Sequence, residues 1–415
     1  MTAPSVEAAD VVVSLAGLDR LIAVLGQEGY EVHGPTVDNG VISHDLIVSV
    51  DELPVGLTDR QSGGTYRLEQ RGDNARFGYA VGPRSWKQIL HPPRTRVWTM
   101  SREEIAAAAN PNSEARAGVR GVNVSINRPR STPRAFLGVR PCELAAIGKQ
   151  DRVLIQGPHP DPDYQANRHD NIIIAVNCGD PSDSCFCSAM GTGPAADSGY
   201  DLALTELVTG GRFPSDEPRY LAQVGSERGA SILAAVSAGE PNTTRRQDWH
   251  IDLAEDGDRA QARQVIERAV AVMTERFPSR LDDHGVTELL YQNLDSDQWA
   301  DIAQRCLSCG NCTLACPTCF CTNLEDVTDL SGEVTDRWRV WDTCFSLDFS
   351  HMGPGPVRAD IASRYRQWLL HKLGSWHDQF GESGCVGCGR CITWCPVGID
   401  LRDELSVMAG HGGAR

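Results

Sequence analysis

Apolar positions recur with two different periods along the chain. Leu15, Leu18, Leu21, Ile22 and Leu25 fall on one helical face, and Gly26 and Gly29 close it, which predicts an amphipathic helix. Tyr30–Val32, Val41–Val50 and Thr65–Leu68 are short runs bounded by Gly, Pro and Asp and read as strands. Ser85–Leu90, ahead of Pro92 and Pro93, reads as one or two helical turns. Arg134–Val139 and Ile172–Val176 are nearly continuously apolar, the pattern of strands buried on both faces. Asp201–Leu207 and Tyr220–Val224 are further strands. Val265, Ile266, Ala269, Val270, Val272 and Met273 give a helix with a broad apolar face, behind a solvated start at Asp256–Arg263. Helices over Asp283–Tyr291 and up to Arg305 follow, whereas residues 104–133 have no periodicity and read as a loop. The expected fold class is α+β. A mixed α/β domain over residues 1–280 precedes a mainly helical domain over 281–415, with the boundary near Pro278.

Cysteine usage changes this picture. The fifteen cysteines in 415 residues cluster at metal-ligand spacings and do not form a disulfide framework, which fits a reducing, cytoplasmic setting. A signal peptide is not visible, and no run of eighteen apolar residues predicts a membrane span. The net charge of −16 argues against nucleic acid as a partner.

Cys306, Cys309, Cys312 and Cys316, followed by Pro317, read C-x2-C-x2-C-x3-C-P. Cys385, Cys388, Cys391 and Cys395, followed by Pro396, repeat it. This is the spacing of two-cluster ferredoxins, in which the fourth cysteine serves the other cluster. Cys306, Cys309 and Cys312 are therefore expected to share a [4Fe-4S] cluster with Cys395, and Cys385, Cys388 and Cys391 with Cys316. Gly310 and Gly389 are expected to let backbone N–H groups approach the sulfurs. Zinc is the competing reading, but structural zinc sites set two ligand pairs well apart.

A further set lies upstream. Cys142 follows a buried strand at the start of a helix, Cys178 ends the next one, and Cys185 and Cys187 come soon after. If the two strands are neighbours, the four thiols converge at one sheet end and make a third cluster; zinc or inert buried thiols are the alternatives. Met190–Ala196 matches G-x-G-x-x-A but follows a cysteine loop instead of a strand, and Pro194 removes an N–H, so it is not a nucleotide site. P-loop and nucleophile-elbow patterns are missing.

Phe136–Glu143 (F-x-G-V-R-P-C-E), Asn177-Cys178 with Cys185–Cys187, Cys316–Cys321 (C-P-T-C-F-C), Trp341–Cys344 (W-D-T-C) and Cys385–Asp400 together resemble the beta subunit of soluble NAD(P)-linked [NiFe] hydrogenases, or sulfhydrogenases, and the related A subunit of anaerobic sulfite reductase. The resemblance runs from about residue 65 onward. It implies an iron–sulfur subunit that passes electrons between a flavin-containing, NAD(P)-binding diaphorase partner and hydrogenase small and large subunits, or sulfite reductase subunits. The chain departs from the family at Gly353–Arg358, where a Gly-Gly-His-Asn element is common. A catalytic iron–sulfur reductase is the third reading. The absence of a nickel or siroheme signature counts against chemistry on this chain, so no catalytic residue is expected. Cys319, Cys321 and Cys344 remain after twelve assignments, and His351, His371 and the basic run Arg358–Lys372 stay open between ligand or charge-balancing roles and plain solvated surface.

Overall fold

In the computed structural model, residues 10–104, 120–127, 132–208, 217–238, 251–277 and 283–410 are described. The expected boundary near residue 280 lies outside them. The first strands are β1 (Val11–Val13), β2 (Glu31–Asp38), β3 (Val41–Leu46), β4 (Leu57–Ser62), β5 (Thr65–Gln70), β6 (Arg94–Glu104) and β7 (Arg120–Ile126). They are followed by β8 (Arg134–Val139), β9 (Ile172–Val176), β10 (Leu202–Leu207), β11 (Arg219–Val224), β12 (Ile251–Leu253), β13 (Thr322–Thr328) and β14 (Val334–Trp341). Eight of them form one sheet in the order β12-β1-β11-β10-β9-β8-β2-β3. Its centre, β10-β9-β8-β2, is parallel, and the flanking pairs are antiparallel.

Period-two alternation decides which side chains meet which layer. Ala135, Leu137, Ile172, Ile174 and Val176 point into a core built with the helices Leu15–Gln27 and Glu227–Ala238. Phe136, Ile173 and Ala175 point the other way, against Trp86, Leu144, Ile147 and Tyr164. With both faces covered, β8 and β9 have no solvated side, which is why their sequences are apolar at nearly every position. Ser14 caps the first helix by accepting from the Gly17 N–H at 3.1 Å.

A second core gathers Val286, Leu290, Trp299, Ile302, Tyr365, Trp368, Leu369, Ile392, Ile399 and Leu405 around the C-terminal cysteines. Phe186, from the loop beyond β9, is buried in it as well.

Four local readings change. Strand β3 stops at Leu46, and Ser49 and Glu52 then close a capping box around a 3-10 turn over Val50–Glu52. Part of the expected loop 104–133 is strand β7, while 105–119 and 128–131 lie outside the described residues. The helix Asp256–Arg276 buries only Ala262, Ala269 and Met273, and its Val270 is exposed. Between the two cysteine motifs the chain forms the hairpin β13-β14, which joins β6 and β7 in a four-stranded sheet. That sheet therefore draws strands from both sides of residue 280. Its faces carry cation–π contacts, with Arg94 over Trp338 at 4.2 Å and Arg337 over Trp98 at 4.9 Å.

Candidate metal centres

The two C-terminal motifs fold alike. Gly310 and Gly389 sit in the left-handed region, φ 76° and 73°, and each opens a one-turn helix, Asn311–Leu314 and Arg390–Thr393. The first turn of each loop aims a backbone N–H at its leading sulfur: Ser308 N to Cys306 Sγ at 3.3 Å, and Gly387 N to Cys385 Sγ at 3.4 Å. The Ile399 N–H approaches Cys395 Sγ at 3.3 Å. The glycines at 310 and 389 also make room for a contact beyond the loop. A Cβ on Gly389 would meet Ser184 O at 2.4 Å, and one on Gly310 would meet Thr343 Cγ2 at 2.8 Å.

Cys306, Cys309, Cys312, Cys391 and Cys395 line one apolar cavity walled by Phe345, Tyr365 and Trp368, and Cys316 does not line it. Cys316 lies with the other motif. Burial pushes the Cys391 thiol well up, and Cys385, Cys388 and Cys316 add to the rise. Burial likewise raises Cys385 to about 11, with Cys388 and Cys316 contributing. Cys395 thus joins the first motif's cavity and Cys316 lies among the second motif's cysteines, with Cys391 between the two. Among the described residues no three His, Cys, Asp or Glu side chains converge as a single ion requires.

The upstream cysteines come together at the carboxyl ends of the parallel strands, where open α/β sheets place their sites. Cys142 is the second residue of the helix Pro141–Leu154 that leaves β8, and Cys178 lies just past β9. Cys142, Cys178, Cys185 and Cys187 are all buried. Burial raises the Cys187 thiol, and Cys185, Cys178 and Cys388 reinforce it. Hence the upstream set abuts the second motif. Two hydrogen bonds to carbonyls of the second motif seal this contact: Phe186 N donates to Gly387 O at 2.8 Å, and Thr192 Oγ1 to Val386 O at 2.7 Å. A Cβ on Gly387 (φ 62°) would come within 2.7 Å of the Cys187 backbone.

The upstream set and the second motif's set have buried cations that sequence reasoning passed over or left on the surface. Arg140 donates to Phe77 O and Tyr79 O, both at 2.7 Å, and faces Cys178. Arg390, with no solvent exposure, pairs with buried Glu143 and faces Cys388 and Cys142. Lys372 Nζ lies 3.2 Å from Cys316 Sγ and 2.9 Å from Thr318 Oγ1. A hydrogen bond with Cys319, and then the Lys372 charge, hold the Cys316 thiol well below its ordinary range. His351 is exposed, whereas His371 lines a cavity beside Lys372.

Residues 305–399 match the 4Fe-4S dicluster domain. The chain is 32% identical over 269 residues to Sulfhydrogenase 2 subunit beta of Pyrococcus furiosus, an alignment covering 64% of this chain and 71% of that protein. The chain belongs to the sulfhydrogenase beta-subunit family. It is an iron–sulfur electron-transfer protein, and its C-terminal domain binds [4Fe-4S] clusters. All-thiol donor sets, N–H groups aimed at sulfur and buried cations fit such anionic clusters. No solved structure matches the chain. None of the described helices is long and apolar enough to cross a membrane.

Proposed function

We propose that this beta-subunit homologue wires a flavin- and NAD(P)-binding partner to a [NiFe] hydrogenase module through three [4Fe-4S] clusters. Cys306, Cys309, Cys312 and Cys395 hold one, Cys385, Cys388, Cys391 and Cys316 the second, and Cys142, Cys178, Cys185 and Cys187 the third. The observation that carries the reading is contiguity: Cys187 and Cys142 face Cys388, and Cys391 faces both Cys316 and Cys312. A bound cluster exchanges single electrons with little structural change. The residues supply the rest. Thiolates ligate, Arg140, Arg390 and Lys372 offset negative charge, and the aromatic walls exclude water. Cys309 is exposed, with Leu307 and Val397 exposed beside it, so the first cluster lies nearest the surface and takes the role of docking terminal.

Three cubanes account for about twelve irons in anaerobically purified protein, four for each set of cysteines. Cys142→Ser should remove only the upstream signal and about four irons relative to wild type; an unchanged iron content, or substantial zinc lost in its place, overturns the third cluster. Cys316→Ser disturbs the cluster of Cys385, Cys388 and Cys391, and Cys395→Ser the other. Loss of the Cys306 cluster on mutating Cys316 would rule out the shared ligation. Anaerobic co-purification with diaphorase and hydrogenase subunits tests the partners.

A further inference from the structure

The twelve assigned cysteines leave three, and the fold brings all three to one place. Strands β13 and β14 pair with Thr322 opposite Trp341, so the residues just before β13 and just after β14 meet at the same end of the hairpin. The Asp342 N–H donates to Cys321 O at 2.9 Å and fixes that end. Lys87 Nζ holds the neighbouring strand entry through Cys319 O at 3.2 Å. Cys319, Cys321 and Cys344 thereby line a cavity of about 400 Å³ together with Arg358, His371 and Lys372. His371 and Lys372 stand on a π-helical turn, His371–Ser375, an irregularity concentrated at functional sites. Three thiols facing one cavity exceed what inert packing of lone cysteines explains, because free cysteines pack as small apolar groups against neighbours and do not need a void. The cavity also holds more than a single ion needs, and its three cationic or imidazole side chains make it a place for negative charge.

We propose that Cys319, Cys321 and Cys344 ligate a fourth iron–sulfur cluster through three thiolates, and that its remaining iron faces the cavity, where it takes a small soft anion. The cluster lies against its neighbour through the Cys319–Cys316 contact, so it exchanges single electrons with the cluster that Cys316 serves. Arg358 and His371 hold the exogenous anion. This site does not depend on the upstream set of Cys142, Cys178, Cys185 and Cys187.

The test uses the full chain, purified anaerobically. A Cys319→Ala, Cys321→Ala, Cys344→Ala variant should lose about four irons relative to wild type while the other cluster signals persist. That difference is read variant against wild type, so it stands whether or not the upstream cluster exists. A variant that keeps the full wild-type iron complement overturns the proposal, as does zinc in place of iron at this site. Should the triple variant fail to fold, wild-type protein decides. Cyanide added to the reduced protein should change the electron paramagnetic resonance of one cluster, and Arg358→Ala should weaken that response several-fold. A spectrum indifferent to cyanide overturns the open iron position.

Discussion

Lys372 shows how one side chain tunes the molecule. Its ammonium is buried, and burial alone would drive the pKa down. The neighbouring Cys316, Cys319 and Cys385 thiolates outweigh that and hold it well above the usual lysine value, so the charge persists. Reduction adds negative charge to the cluster that Cys316 serves, and a fixed cation beside the sulfur favours the reduced form. Removing it in Lys372→Met should lower that cluster's potential by on the order of 100 mV, taking an effective dielectric of about 20 over roughly 7 Å. The cluster of Cys306, further from the ammonium, should move less. Redox titration followed by paramagnetic resonance measures both, and an unchanged or raised potential at the Cys316 cluster would show that the lysine is only structural.

At the scale of elements, the glycines of the second motif serve the contact between segments more than the cluster loop itself. Gly389→Ala must force a left-handed alanine against the Ser184 carbonyl, a backbone atom that cannot rotate away. A cost of about 1–3 kcal/mol is expected, with weakening of the upstream site. Gly310→Ala meets only the Thr343 side chain and should cost less. Thermal stability of the two holo-variants checks the ranking, and equal losses would sink the interpretation.

This contact marks the limit of what the sequence discloses. The helix at Leu15–Gln27, the buried β8 and β9 and the helices before Cys306 announce themselves through periodicity, because each satisfies its apolar face locally. Cysteine spacing announces ligation for the same reason, since a loop of fixed length sets the reach of each thiol. The hairpin β13-β14 does not: most of β13 is exposed, so no alternation marks it, and its partner β6 lies more than two hundred residues away. The buried charges are hidden too, because Arg and Glu are read as surface unless their partner is known. The available signal was position, with Glu143 beside Cys142 and Arg390 beside Cys391.

For the whole molecule, that pair of charges is the fastening between the sheet and the dicluster domain. Arg390 Nε donates to Gly82 O at 2.8 Å, its Nη2 donates to both Arg84 O and Glu143, and the Glu143 carboxylate also accepts from the Arg140 N–H. A buried ion pair adds little net stability over apolar packing, but removing one partner strands the other charge in low dielectric. Arg390→Met should therefore cost about 3–5 kcal/mol and disorder the contact between Cys142 and Cys388, whereas adding Glu143→Gln should recover a sizeable part of the loss. Denaturant titration of the four proteins of this cycle, held anaerobically with clusters loaded, gives the coupling. Strictly additive losses would mean that the two side chains act separately. The upstream thiols would then owe their place beside the second motif to the hydrogen bonds donated by the Phe186 N–H and the Thr192 hydroxyl alone.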